Sequence, residues 1–327
     1  MTVHPPPTFA DVLKARKQIA PYLRPTPLHR YPGLDRLTRA QVWVKHENHQ
    51  PVGAFKVRGG VNLISQLPDD DRRRGVITAS TGNHGQSIAY ASRLFGVSAV
   101  VCAPAQANPV KVESMRDLGA ELVLEGRTFD EAKANAQRLA EAHGHRYVDV
   151  GNEPLLVAGV GTYALEVFED QPDIETVIVP IGGGSGAAGT ALVRHAVKPG
   201  ARVIGVQSAQ AQAAFRSWEA RRLIEAPNES SAEGLATGQP FELPQRMLWE
   251  MLDDFVLVSD DDLLDATAAM ILYTRNLVEP AGAASLAAAM KLADRLQGQR
   301  IALICSGGNI GPAQLAQVVE RLAVVAR

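Results

Sequence analysis

Short β-branched runs alternate along the chain with alanine-rich stretches of helical period, the pattern of a parallel sheet whose strands are joined by crossover helices. The cleanest stretch starts at Gly75. VITAS reads as a strand, Asn83 to Phe95 as a helix, SAVVCAP as a strand, Val110 to Leu118 as a helix and AELVLE as a strand. A helix from Thr128 to His143 and a strand RYVDV complete a self-contained four-strand unit. A second run opens with TVIVPI, passes through a glycine cluster into a helix from Ala187 to Val197, and continues with the strand RVIGVQS. Helical patterns resume after Asp260 and from Gly282 to Leu296, and the strand IALICSGGN with a final helix ends the run. Ala226 to Gln245, rich in Pro, Gly and Ser, reads as a loop. HPPPT near the start reads as frayed, and DDDRRR at Asp69 to Arg74 as a solvated turn.

At roughly 150 residues per domain, 327 residues make about two domains with a sizeable core. Hydrophobic residues make up 46% of the chain, and 33 Lys and Arg face 35 Asp and Glu, a formal net charge of −2. That balance excludes disorder and argues against a nucleic-acid partner or an anionic membrane surface, because both need clustered cations. The two cysteines, Cys102 and Cys305, lie in apolar strand-like runs and read as buried reduced thiols. With neither a secretory leader nor a long apolar span in the sequence, the cytoplasm is the expected location.

Four glycine-bearing segments carry candidate chemistry. VIVPIGGGSGAAG sets a strand, the cluster Gly182, Gly183, Gly184, Ser185, Gly186 and a helix start in sequence, and backbone N–H groups at such a junction cradle phosphate. Residues 184–189 also fit the dinucleotide pattern G-x-G-x-x-G, but the next strand offers Gln207 and Ser208 where a ribose-binding acid is required. Tight strand-to-helix packing alone would also account for these glycines.

In KHENHQPVGAFKVRGG, Lys56 lies among Gly53, Phe55, Val57 and the pair Gly59-Gly60. A lysine in apolar company favours its neutral amine, which can form a Schiff base with a carbonyl cofactor; by residue type alone it would be a surface charge. ITASTGNHGQS leaves a strand through Ser80, Thr81, Gly82, Asn83 and His84 into a helix. Small hydroxyls and N–H groups there suit a carboxylate, and Ser80 or Asn83 could equally cap the helix. CSGGNIGP ends a strand with Ser306 to Asn309, which an ordinary turn would also explain.

Taken in order, these segments and VEPAGA at Val278 to Ala283 resemble the fold-type II pyridoxal-phosphate enzymes, within them the serine/threonine dehydratase and serine racemase group. The resemblance runs nearly the whole chain. It implies a two-domain α/β fold of the tryptophan synthase β type with parallel-rich sheets flanked by helices. A large cofactor-binding domain would take residues 1–74 and 152–327, and a small substrate-gating domain residues 75–151. It further implies pyridoxal 5′-phosphate as cofactor, a small amino-acid substrate and a homodimer or higher homo-oligomer. Lys56 would hold the cofactor as a Schiff base, Phe55 would lie against its ring, and Asn83 would bond the ring hydroxyl. Ser80 to His84 would receive the substrate carboxylate, Gly182 to Gly186 the phosphate; Ser306 would face the pyridine nitrogen and Glu279 would support the site.

The activity so implied is β-elimination of water and then ammonia from a β-hydroxy-α-amino acid such as threonine, serine or phenylserine. A serine or aspartate racemase on the same fold is the alternative, and a nucleotide-binding oxidoreductase a remote one. Thr81 bears on the first of these. Racemases of this group carry a serine there that serves the face opposite the lysine, many dehydratases carry alanine, and Thr81 keeps a hydroxyl. Ala54 replaces the serine common beside the lysine, and the His-rich KHENHQPVGAFK points to a specialised catabolic member. Glu229 and Glu233 fall where some relatives hold a divalent cation, although exposed loop acids explain them equally. A C-terminal regulatory domain is not expected.

Overall fold

The computed structural model describes residues 5–325. Internal contacts divide the chain into two compact units, Met1–Arg24 with Lys56–Val160, and Pro25–Phe55 with Gly161–Arg327. The boundary that matters most falls at the Phe55–Lys56 peptide bond.

The first unit holds a four-stranded, all-parallel sheet in the order β5-β4-β3-β6, from β3 (Val76–Ala79), β4 (Ala99–Ala103), β5 (Glu121–Leu124) and β6 (Arg146–Tyr147). Each strand follows a helix, so the pattern of β-branched runs and alanine-rich stretches is realised as crossovers. Ile77, Ala79, Val100 and Cys102 meet Ala136 and Ala140 of the helix Phe129–His143 in its core. The unit is larger than the expected 75–151. The helix Lys56–Ile64 packs on Asn83–Phe95, and Phe9–Ile19 packs on Lys56–Ile64. Close approach is possible because Gly60 faces Ser87, whose Oγ stands 2.3 Å from where a Cβ would be, and Gly59 faces the Leu156 backbone.

The second unit holds a six-stranded sheet in the order β1-β2-β10-β7-β8-β9. Its strands are β1 (Leu28–Arg30), β2 (Gln41–His46), β7 (Thr176–Pro180), β8 (Arg202–Ser208), β9 (Asp254–Val258) and β10 (Arg300–Cys305). Only the edge strand β1 runs antiparallel. The helix Pro280–Lys291 lies against β7 and β10, its alanines buried on every side, and joins Ile178, Ile204, Val206 and Leu303 in the core. Each fully buried Ile, Leu or Val there contributes roughly 1.5–3 kcal/mol over its exposed state.

Several local expectations change. DDDRRR is a helix, Asp69–Arg74, not a turn: three acids fill its first turn and three arginines its last, matching the helix dipole. Of HPPPT, His4 lies outside the described residues, and Thr8 is not frayed but caps Phe9–Ile19, its side chain and that of Asp11 closing a capping box. The irregular stretch ends sooner than Gln245, because the helix Glu242–Met251 begins inside it; Pro244 sits in the first turn, where a missing N–H costs nothing. RYVDV pairs only at Arg146–Tyr147, since Asp149 turns the chain by accepting the N–H groups of Gly151 and Asn152 at 3.0 and 2.9 Å.

Candidate active site

In the second unit, β7 ends at Pro180 and the chain turns through Gly182–Gly184 into the helix Ser185–Val197. No side chain caps this helix; its N-cap is Gly184, at φ +85°, which favours glycine. Space excludes a side chain at Gly182 and is tight at Gly184 and Gly186. A Cβ on Gly182 would lie 2.2 Å from the Gly234 carbonyl oxygen, one on Gly184 3.1 Å from Pro244, and one on Gly186 3.0 Å from the Tyr163 hydroxyl and 3.2 Å from the Phe55 ring. Gly183 is half-buried in the turn, and Ser185 is buried as the first helical residue. The result is a concave run of main chain at a helix N-terminus, which fits a phosphate dianion.

The residues leading to the lysine are stitched to the end of β10. Ala54 bridges Gly307, Phe55 N–H donates to the Ser306 carbonyl at 3.0 Å, and Gly308 N–H donates to that of Gly53 at 2.9 Å. Asn309 completes the clasp by donating its amide to Val52 O at 2.8 Å. Ser306 is buried, and its hydroxyl donates to the Ala281 carbonyl at 3.3 Å, a weak bond that leaves the rotor able to turn. Glu279, also buried, sits at the N-cap of Pro280–Lys291 with its N–H on Gly307 O. Of the histidines of KHENHQ, His46 is buried, stacks on the exposed His49 at 4.9 Å and bonds the Tyr31 hydroxyl, and burial pushes its pKa down to about 4, while His49 bonds the Asn276 side chain.

In the first unit, Lys56 opens the helix Lys56–Ile64, and its carbonyl accepts the Ser87 hydroxyl at 2.7 Å. Loss of solvent around the amine lowers its pKa from 10.5 to about 8. The Ser80 turn follows β3. Ser80 Oγ accepts the N–H groups of Gly82 at 3.1 Å and Gly85 at 2.9 Å, so it caps the helix Asn83–Phe95 from outside. Asn83 is the first helical residue, not the cap, and it is half-buried with Thr81 and Gly82.

His84 is buried, and its Nε2 lies 3.0 Å from Thr78 Oγ1. The single hydroxyl proton of Thr78 goes to the Val148 carbonyl at 2.8 Å, so Thr78 must accept from His84, fixing the proton on Nε2. Burial, reinforced by the charge of Lys56, lowers the His84 pKa to about 3 and keeps the ring neutral. Sequence reasoning missed Thr78, a β-branched strand residue, and Tyr163, one of two aromatics in the helix Pro154–Asp170; neither stands out by type or spacing. Glu229 and Glu233 are exposed in the irregular stretch, and among the described residues no three His, Cys, Asp or Glu side chains are grouped to hold a metal ion. Nor is any described helix long and apolar enough to cross a membrane.

The family model for pyridoxal-phosphate-dependent enzymes matches residues 19–307. The chain belongs to that family. This pyridoxal-phosphate-dependent enzyme is 34% identical to an L-threonine ammonia-lyase of Thermotoga maritima over 96% of this chain and 78% of the relative. It is 33% identical to the catabolic L-threonine dehydratase TdcB of Escherichia coli over 96% of each chain. Among solved structures it matches maize serine racemase with a TM-score of 0.90 and 29% identity, over 97% of this chain and 98% of that one. The fold-type II assignment, the cofactor and the α/β architecture expected from the motifs are thereby borne out, and the nucleotide-binding oxidoreductase is set aside.

Proposed function

We infer that this enzyme is a hydroxy-amino-acid ammonia-lyase, converting a β-hydroxy-α-amino acid such as threonine, serine or phenylserine to a 2-oxo acid, with ammonia released. Water lost in the elimination is returned on hydrolysis, so no oxidant or reductant is needed. One observation carries the reading: Lys56, in the GAFKVRGG segment, has an amine depressed to about 8, in a chain whose relatives are threonine ammonia-lyases.

Bound pyridoxal phosphate supplies an electron sink for the α-carbon. Lys56 anchors it and, as a free amine, takes the α-proton; at pKa about 8 roughly a tenth of such an amine is neutral at pH 7, against a negligible fraction at 10.5. The glycine turn at 182–186 would hold the phosphate, Phe55 would flank the ring, and Ser306, an uncharged donor, would face its nitrogen. Thr81, Asn83 and the N–H groups of the Ser80–His84 turn would receive the ring hydroxyl and the substrate carboxylate. With its pKa near 3, His84 brings no positive charge to that carboxylate.

A racemase reading is favoured by one feature, the half-buried hydroxyl of Thr81; equal α-proton exchange in Thr81→Ala and the unaltered enzyme would dismiss it. The deciding experiment for the main reading is Lys56→Ala, assayed for 2-oxo acid from a panel of β-hydroxy amino acids. Turnover should fall by about 10⁴-fold or more, and borohydride should fix the cofactor to residue 56 only when it is lysine. Normal elimination by the variant would sink the assignment.

A further inference from the structure

Tyr163 is fully buried in the apolar helix Pro154–Asp170, where phenylalanine would fill much the same space without a polar group to satisfy. Its hydroxyl donates to the Gly186 carbonyl at 2.9 Å and accepts from Thr190 Oγ1 at 2.9 Å, while Thr190 Oγ1 also lies 2.8 Å from the same carbonyl. Gly186 is in the first turn of Ser185–Val197, so its carbonyl points along the helix and the N–H of Ala187, across the same rigid peptide, points back toward the glycine turn. Holding the carbonyl aims that N–H, and polarising the carbonyl strengthens it as a donor. The ring of Tyr163 meets Phe55 edge-on, with centroids 6.0 Å apart at 86°, and Phe55 is in turn bonded through its N–H to Ser306.

We propose that Tyr163 is a positioning residue for the phosphate grip: with Thr190 it orients the Gly186–Ala187 peptide as a phosphate donor, and through Phe55 it ties that donor to the segment leading into Lys56. The proposal rests on the pyridoxal-phosphate reading of the glycine turn. Its effect lies in cofactor binding rather than in the chemical step.

The test compares Tyr163→Phe and Thr190→Val with the unaltered enzyme, using pyridoxal phosphate titrated into the stripped protein and the ³¹P resonance of the loaded one. Tyr163→Phe should weaken cofactor binding about 5-fold or more and move the bound ³¹P resonance, with kcat at saturating cofactor within about twofold of normal. Thr190→Val should do the same to a smaller degree, and the double variant should bind about as weakly as Tyr163→Phe, because Thr190, its one proton given to Tyr163, acts on the carbonyl through that hydroxyl. A Tyr163→Phe enzyme with lower thermal stability but unchanged cofactor affinity and ³¹P resonance would overturn the proposal, leaving the hydroxyl a structural role. Thr190→Val decides alone if Tyr163→Phe does not fold, and an unchanged resonance in it counts against the proposal. Failure of the unaltered enzyme to bind the cofactor would instead overturn the underlying reading.

Discussion

The turn at Ser80–Gly85 and the turn at Gly182–Gly186 each lead from the end of a parallel strand into a helix of 13 residues, yet they are held by opposite means. In the first, Ser80 Oγ accepts two N–H groups, which leaves Thr81, Asn83 and His84 free to differ in chemistry around it. In the second, no side chain caps the helix, a glycine at φ +85° makes the bend, the Gly234 carbonyl leaves no room for a Cβ at Gly182, and Pro244, Tyr163 and Phe55 crowd Gly184 and Gly186. A turn capped by a side chain can present varied polar groups, as recognition of an amino acid requires. A turn bent by bare glycine backbone presents chiefly N–H groups, which would suit a phosphate.

The largest effect separating the two regions concerns Lys56, which belongs to the same unit as the Ser80 turn. If bond-making resides there and grip in the glycine turn, capture of pyridoxal phosphate by the cofactor-free enzyme should follow the neutral amine. The depressed pKa sets the sign: capture slows as pH falls below about 8, close to tenfold per unit, and levels off above it. Stopped-flow absorbance across pH 6–10 measures this, and a midpoint near the ordinary 10.5 would break the picture.

Gly182→Ala comes next. Its Cβ would stand 2.2 Å from a backbone oxygen that cannot step aside, so about 1–3 kcal/mol of stability and at least tenfold of cofactor affinity should be lost. Denaturant melts and cofactor titration report the two parts. Ser80→Ala strips the acceptor from two N–H groups, at a cost of about 1–2 kcal/mol, and should raise KM for the amino acid more than it lowers kcat. Gly85→Ala should do least. Its Cβ would meet the Met115 sulfur at 2.3 Å, a flexible neighbour, and the gain in helix propensity of about 1 kcal/mol offsets the displacement. A Gly85→Ala defect as large as that of Gly182→Ala would show that both turns depend on bare backbone.

Much of the site was legible in the sequence because its chemistry is local. STGNHGQ, GGGSG and SGGN each place their candidate residues within a few positions of a strand end, GAFKVRGG opens a helix, and the Asn83–Phe95 helix lies where its periodicity puts it. A reading of DDDRRR by its charge alone gives a solvated turn, whereas the order of acids before bases is itself a helix signal.

By itself, then, the sequence determined the alternation of strands and helices over most of the two sheets and, through the resemblance its motifs carry, the pyridoxal-phosphate family, since both rest on patterns a few residues long. Tertiary structure alone decided that Gly182 has no room for a side chain, why His84 is neutral and which nitrogen carries its proton, and that the hydroxyls of Tyr163 and Thr190 gather at one carbonyl. The physical reason is that solvent exclusion, steric crowding and hydrogen-bond partnership are properties of neighbours in space. His84 meets Val148 through Thr78, and Gly182 meets Gly234, across stretches of chain whose separation no local pattern encodes.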